Sequence, residues 1–77
     1  MATNDLDKTV ALNVQAAMDE AGENLLSMER STGITRSKLR RRLSGNCAWG
    51  TSELAVIAQH FGIQPADLFA PIEAAAA

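Results

Sequence analysis

The sequence predicts a single all-α domain of five short helices, and size, composition and periodicity each support this fold. The chain has 77 residues, 47% of them hydrophobic and only 4% aromatic. Such an aliphatic, alanine-rich composition suits packed helices better than a sheet. Apolar residues recur at steps of three and four, and glycines follow these stretches. We expect one domain over residues 1–77, with a core at about 5–70 and short flexible ends.

The first two predicted helices are separated by a glycine stop. Apolar residues at positions 6, 10, 14, 17, 18 and 21 define one face of a first helix, which Gly22 ends. Asn24 is a suitable N-cap for a second helix over residues 25–32. Gly33 ends that helix, because the turn after it needs a residue that tolerates positive φ. Two methionines fall on the apolar faces and are expected in the core: Met18 and Met28.

The third predicted helix spans residues 36–43 and has Thr35 as its N-cap. Together they form the segment 35–43. Leu39 and Leu43 are four residues apart and form its buried stripe. Gly45 ends it. The turn at Gly33 therefore joins two short helices, an arrangement typical of a helix-turn-helix.

The remaining two helices have well-marked starts. If Gly50 is the N-cap of the fourth helix, Glu53 occupies the third helical position and can accept a hydrogen bond from the cap N–H. Gly62 ends this helix. Pro65 suits the first position of a short fifth helix. That helix is expected to carry two apolar side chains into the core: Leu68 and Phe69.

Charge is distributed very unevenly along the chain. The net charge of -2 and the pI of about 5.2 argue, taken alone, against a nucleic-acid partner. Residues 30–42, however, contain six basic residues and no acid, whereas the rest contains nine acids and one base, Lys8. A local basic patch indicates nucleic-acid binding better than the net charge does.

The basic residues of the third helix can be placed by angle. At about 100° per residue, Ser37 and Arg41 lie at about 160° and 200° from Leu39, opposite the buried stripe. Arg36, in the first turn, can project past the helix end. The side chains expected to meet base edges in the major groove are Arg36, Ser37 and Arg41, whereas Lys38 and Arg40 flank them and suit phosphates.

Three stretches together resemble a known family: TGITRSKLRRRLSG at residues 32–45, ELAVIAQHFGI at 53–63 and DLF at 67–69. They are similar to the lambda-repressor-like (Cro/XRE) helix-turn-helix family, most of all to its phage and actinobacterial branches, over residues 8–70. The resemblance implies a compact five-helix domain that binds operator DNA, usually as a two-fold dimer. The full set expected to contact the DNA backbone is Asn24, Thr35, Lys38, Arg40, Ser44 and Asn46.

Two positions depart from the family pattern. Glu29 stands where the family usually has a small residue, and Arg42 stands where it usually has an aliphatic one. Because their charges are opposite and they lie on two packed helices, we expect a compensating ion pair between them.

Other classes of function find little support. The single cysteine, Cys47, excludes an internal disulfide and fits a reducing cytoplasm. His60 has no partner at metal-ligand spacing and is expected to be an exposed helix residue. No phosphate loop, Cys-x-x-Cys pair or nucleophile set is present, and no apolar run approaches a membrane span. We therefore expect no enzyme activity, cofactor, metal, membrane or small-molecule substrate.

Three functions remain open at this point. The leading one is a Cro-like phage or prophage repressor that binds a palindromic operator as a homodimer. The second is an accessory, excision or antitoxin-type DNA-binding factor. The third is a helical adaptor whose basic helix docks on an acidic protein. Salt dependence separates the third from the others, because phosphate contacts make log K fall linearly with log salt concentration.

Overall fold

The computed structural model describes residues 5–45 and 47–70. Within these ranges the chain forms four α-helices and one short 3₁₀ helix, which confirms the all-α prediction. Their bounds are α1 Asp5–Ala21, α2 Leu25–Thr32, α3 Arg36–Leu43, α4 Thr51–Phe61 and the 3₁₀ helix Pro65–Phe69. The flexible ends predicted from the sequence lie outside the described residues.

The predicted count of five helices is not confirmed, because the last element is a 3₁₀ helix rather than an α-helix. Pro65 begins a segment of only five residues, closed by a backbone bond from Asp67 N to Gln64 O of 2.9 Å. Such an i→i+3 bond winds the chain with three residues per turn. Successive side chains then lie about 120° apart around the axis, so Leu68 is 1% exposed while Phe69 is 37% exposed. The prediction that both face the core is therefore correct only for Leu68.

Local capping bonds set the starts of α2, α3 and α4, and each predicted N-cap is confirmed. The Asn24 Oδ1 accepts a hydrogen bond from Ser27 N at 2.9 Å, and the Thr35 Oγ1 accepts one from Lys38 N at 3.4 Å. Gly50 N donates to Glu53 Oε1 at 2.9 Å. Because each bond spans three residues, its existence follows from sequence alone.

The turn between α2 and α3 depends on the backbone of Gly33. This residue has φ 79° and ψ 0°, and its N–H donates to Glu29 O at 2.9 Å. A Cβ placed here would meet no atom within 4 Å. Glycine is thus required by the left-handed conformation rather than by lack of space.

The hydrophobic core draws on every helix. Val10, Val14 and Met18 of α1 pack with a group from the other elements: Met28, Leu39, Leu54, Ile57, Ala58 and Leu68. Met28 and Leu39 are fully buried at 0% exposure, so α2 and α3 each contribute one fully buried side chain. The predicted core positions of Met18 and Met28 are confirmed.

An amide on α1 fastens the end of the described chain to this core. The Asn13 Nδ2 donates to Leu68 O and to Ala70 O, both at 2.7 Å. Two carbonyls at the end of the 3₁₀ helix are thereby satisfied by a residue more than fifty positions away in the chain.

The predicted Glu29–Arg42 ion pair is wrong, because each of these residues has a different partner. Arg42 Nε lies 2.7 Å from Glu53 Oε1, and Arg36 Nε lies 3.0 Å from Glu29 Oε1. Arg36 and Arg42 are separated by six residues, or about 9 Å along the helix axis. The end of α2 therefore meets the first turn of α3, and the start of α4 meets its last turn.

The Arg42–Glu53 bond joins α3 to α4 in a mostly buried setting. The two side chains are 19% and 16% exposed. Burial by itself raises the pKa of Glu53, but the hydrogen bonds from Arg42 and from the Gly50 N–H outweigh it and hold the pKa below its usual 4.5. One carboxylate thus caps α4 and holds the end of α3.

Replacing Gly33 by alanine is expected to destabilise the fold by about 1 kcal/mol, since a left-handed conformation costs an L-residue about 1–2 kcal/mol. Gly33→Asn should cost less, because asparagine adopts this conformation more readily. The free energies of unfolding of both variants, measured in urea, test this. Equal stability of the alanine variant and the wild type would contradict the assigned backbone geometry.

Arg42→Ala should lower the free energy of unfolding by about 2 kcal/mol, because a hydrogen bond between charged groups contributes about 1.5–3 kcal/mol. Arg41→Ala is the matched control. It makes the same change one position earlier, at an exposed side chain with no salt bridge in the described structure, and should alter stability by less than about 0.5 kcal/mol. Similar losses in both variants would show that the bond to Glu53 does not stabilise the fold.

Acid should remove the contribution of Glu53 to the free energy of unfolding. Because its pKa is depressed in the folded state, the stabilisation is complete above the usual value of 4.5 and is lost as the pH falls through the lower folded value. Urea midpoints measured from about pH 7 down to about pH 3 should fall less steeply for Glu53→Gln than for the wild type. The exposed Glu20→Gln should retain the slope of the wild type. Parallel slopes for all three proteins would exclude this role of Glu53.

Candidate nucleic-acid interface

The outer face of α3 carries the side chains predicted to read bases. Leu39 is fully buried and Leu43 packs at the edge of the core. Ser37 and Arg41, on the opposite side of the helix, are both exposed. Arg36 is 56% exposed at the first turn. The structure therefore places all three predicted base-reading residues on the solvent side of one helix.

This helix has a surplus of positive charge that the protein neutralises only in part. Of the six cations in residues 30–42, Arg36 and Arg42 form the salt bridges described above. The others make no salt bridge within the described residues: Arg30, Lys38, Arg40 and Arg41. Lys38 acts on Glu53 only at longer range, where it contributes to the lowered pKa of that carboxyl. Like charges at this spacing repel one another, and a polyanion would relieve the repulsion.

A shallow cleft of about 310 Å³ lies where the end of α2 meets the start of α3. Its lining consists of Glu29, Thr35, Arg36, Ser37 and Arg40. Four of these are predicted DNA contacts, so the cleft belongs to the same surface as the outer face of α3. The Glu29–Arg36 ion pair lies within this lining.

The residues predicted to contact the DNA backbone differ in the hydrogen-bond donors they have left. The Asn24 Oδ1 is occupied by its capping bond, whereas its Nδ2 donates to no atom in the described structure. Ser44 is less suitable as a donor, because its N–H already donates to Arg40 O and its hydroxyl to Arg41 O. Lys38 and Arg40 are exposed. Asn46 lies outside the described residues.

A network at the start of α2 was not predicted. His60 was expected to be an exposed helix residue, but its side chain is only 22% exposed and its Nε2 contacts Glu23 Oε2. The Ser27 hydroxyl donates to Glu23 Oε1 at 2.7 Å. The hydrogen bond from Ser27 is the largest cause that lowers the pKa of Glu23, and the bond from His60 is the second largest. Because His60 and Glu23 are 37 residues apart, no local sequence pattern could have indicated their contact.

Other kinds of site find no support in the part of the chain that the structure describes. No group of three or more histidine, cysteine or acidic residues is arranged to hold a metal ion there. None of its helices is long and apolar enough to cross a membrane. Cys47 is a partly buried free thiol.

The comparison with known protein families supports DNA binding. The family model described as the Cro/C1-type HTH DNA-binding domain matches residues 13–74. No curated protein and no solved structure gives a match. The matched span contains the turn at Gly33, the whole of α3 and the 3₁₀ helix, and it covers most of the 77 residues. The chain therefore belongs to the Cro/C1-type helix-turn-helix family and is a DNA-binding protein.

Proposed function

We propose that this protein is a sequence-specific transcriptional regulator that inserts α3 into the major groove of double-stranded DNA. The observation that carries the proposal is an eight-residue helix whose buried side is Leu39 and whose outer side carries exposed Ser37 and Arg41. The major groove is about 12 Å wide and admits one α-helix. The capped turn at Gly33 presents this helix outward from the domain.

Base recognition is assigned to Arg36, Ser37 and Arg41. An arginine side chain can form two parallel hydrogen bonds to O6 and N7 of guanine, and a serine hydroxyl can donate or accept. Arg41 makes no salt bridge in the described structure, so its whole guanidinium is available for such contacts. The Nε of Arg36 contacts Glu29, and its terminal amino groups remain available to contact a base.

Positioning on the duplex is assigned to contacts with phosphates. Lys38 and Arg40 flank the base-reading face, and the Nδ2 of Asn24 supplies a further donor at the N-terminus of α2. The other proposed backbone contacts are Thr35, Ser44 and Asn46. The acidic remainder of the chain disfavours every other orientation on a polyanion, so binding would be directed to the basic face.

The regulatory mode we propose is occupation of an operator by a homodimer, as in a Cro-like phage or prophage repressor. A two-fold dimer would read a palindromic site whose half-sites lie about one helical turn, or 10–10.5 base pairs, apart. The bound protein would block polymerase or a competing regulator. This role requires neither a cofactor nor catalysis.

Selection of bound duplexes from a random pool would identify the operator, and two variants would then test the groove assignment. Arg41→Ala should relax the preference at one base pair by about 1–3 kcal/mol. Lys38→Ala should weaken binding to all duplexes about equally and reduce the slope of log K against log salt by about one unit. Gln59→Ala, an exposed neutral site on α4, is the control for both.

Unchanged binding to every duplex in both variants would contradict insertion of α3. A shallow salt slope that changes with the partner tested would indicate docking on an acidic protein instead. A single shifted base preference for Arg41→Ala, with none for Lys38→Ala, is the result that the proposal requires.

A further inference from the structure

We propose that Glu29 is a positioning residue that holds Arg36 in place for reading a base and so sets part of the DNA specificity. This inference rests on the proposed function, because it assumes that Arg36 faces base edges in the groove. It concerns a residue of α2 that is not itself expected to touch DNA.

The geometry of the pair separates the roles of its two members. Arg36 Nε lies 3.0 Å from Glu29 Oε1, and the two side chains are 56% and 32% exposed, respectively. The Glu29 side chain is therefore the more buried partner, and the Arg36 side chain is the more exposed one. An exposed ion pair contributes about 0–1 kcal/mol. This changes the stability of the domain little, but it favours the arginine conformations that keep the contact.

The backbone on both sides of the turn is fixed, which makes this restriction effective. Glu29 lies in the last turn of α2, where its carbonyl accepts the Gly33 N–H at 2.9 Å. Arg36 is the first residue of α3, immediately after its N-cap Thr35. The two side chains thus project from the two arms of one capped turn, and their contact connects the arms across the cleft.

The contact leaves the useful end of the guanidinium available. Arginine has five N–H donors in a planar fork, and the described contact with Glu29 involves Nε. Arg36 makes no other salt bridge within the described residues. Its terminal amino groups can therefore donate to O6 and N7 of guanine. Because the ion pair favours this arrangement before DNA arrives, the side chain loses less conformational freedom on binding.

The same carboxylate should oppose non-specific binding. Among the residues that line the cleft in the described structure, Glu29 alone is acidic, and it stands beside four proposed DNA contacts. A negative charge there disfavours phosphates. It also competes with phosphates for Arg36 and so keeps this arginine from becoming a sequence-independent contact. Specificity is a difference between affinities, and both effects increase it.

Glu29→Gln tests this inference because it removes the charge while keeping the shape of the side chain. Affinities are measured for the selected duplex, for its single-base variants and for a random duplex, at two salt concentrations. The base pair read by Arg36 is identified by the preference that Arg36→Ala loses. We expect Glu29→Gln to lower the preference at that base pair by up to about fivefold and to tighten binding to the random duplex. The preference assigned to Arg41 should not change.

Two controls separate positioning from a general effect of charge or folding. Glu20→Gln makes the same charge change at an exposed site on α1 and should leave every base preference unchanged. The double variant Glu29→Gln/Arg36→Ala should lose no more of the base preference than Arg36→Ala alone. Urea unfolding of each variant at neutral pH verifies that the domain is folded under the binding conditions.

The failure of this inference differs from the failure of the proposed function. If Arg36→Ala abolishes a base preference that Glu29→Gln retains, Glu29 does not position Arg36, and insertion of α3 still stands. Equal changes in affinity for the specific and random duplexes in Glu29→Gln would overturn the inference in the same way. If neither Arg36→Ala nor Arg41→Ala alters any base preference, the proposed function itself is wrong.

Discussion

Electrostatic repulsion within α3 is the constraint on which the rest of the structure depends. Five of its eight residues are cationic, and three of the five lie in the last turn: Arg40, Arg41 and Arg42. Cations are favourable near the C-terminus of a helix, where the backbone carbonyls carry partial negative charge. They nevertheless repel one another along the helix surface. The segment stays helical because Thr35 caps it, Leu39 is fully buried, and an acid from a neighbouring helix binds near each end.

Glu29 and Glu53, the two acids that bind α3, differ in their exposure to water, and we therefore expect them to have different roles. The Arg42–Glu53 bond is mostly shielded from water and also includes the Gly50 N–H, so it connects α3 to α4 and stabilises the fold. The Glu29–Arg36 pair is more exposed, where the Coulomb attraction is weak. It is therefore expected to contribute less to the stability of the domain, and its proposed role is to position Arg36. Between these two ends, Arg40 and Arg41 remain without a salt bridge in the described structure.

An acidic net charge is compatible with DNA binding because the charge is polarised. The basic segment at residues 30–42 and the acidic remainder of the chain carry net charges of opposite sign. A polyanion attracts one and repels the other, which orients the domain as it approaches. The acidic remainder also lowers affinity for DNA in other orientations, so DNA binding is favoured at the surface that carries the surplus charge of α3.

The sequence by itself determined the features that depend on residues close together in the chain. The bounds of α2 and α3, the caps at Asn24, Thr35 and Gly50, and the left-handed turn at Gly33 were all predictable, because each depends on bonds spanning three or four residues. The basic outer face of α3 followed from helical periodicity. Only the tertiary structure decided which acid binds which arginine, that His60 contacts Glu23, and that Asn13 holds the 3₁₀ helix. Long side chains can reach several partners, and the choice among them is made by how packed helices place their ends.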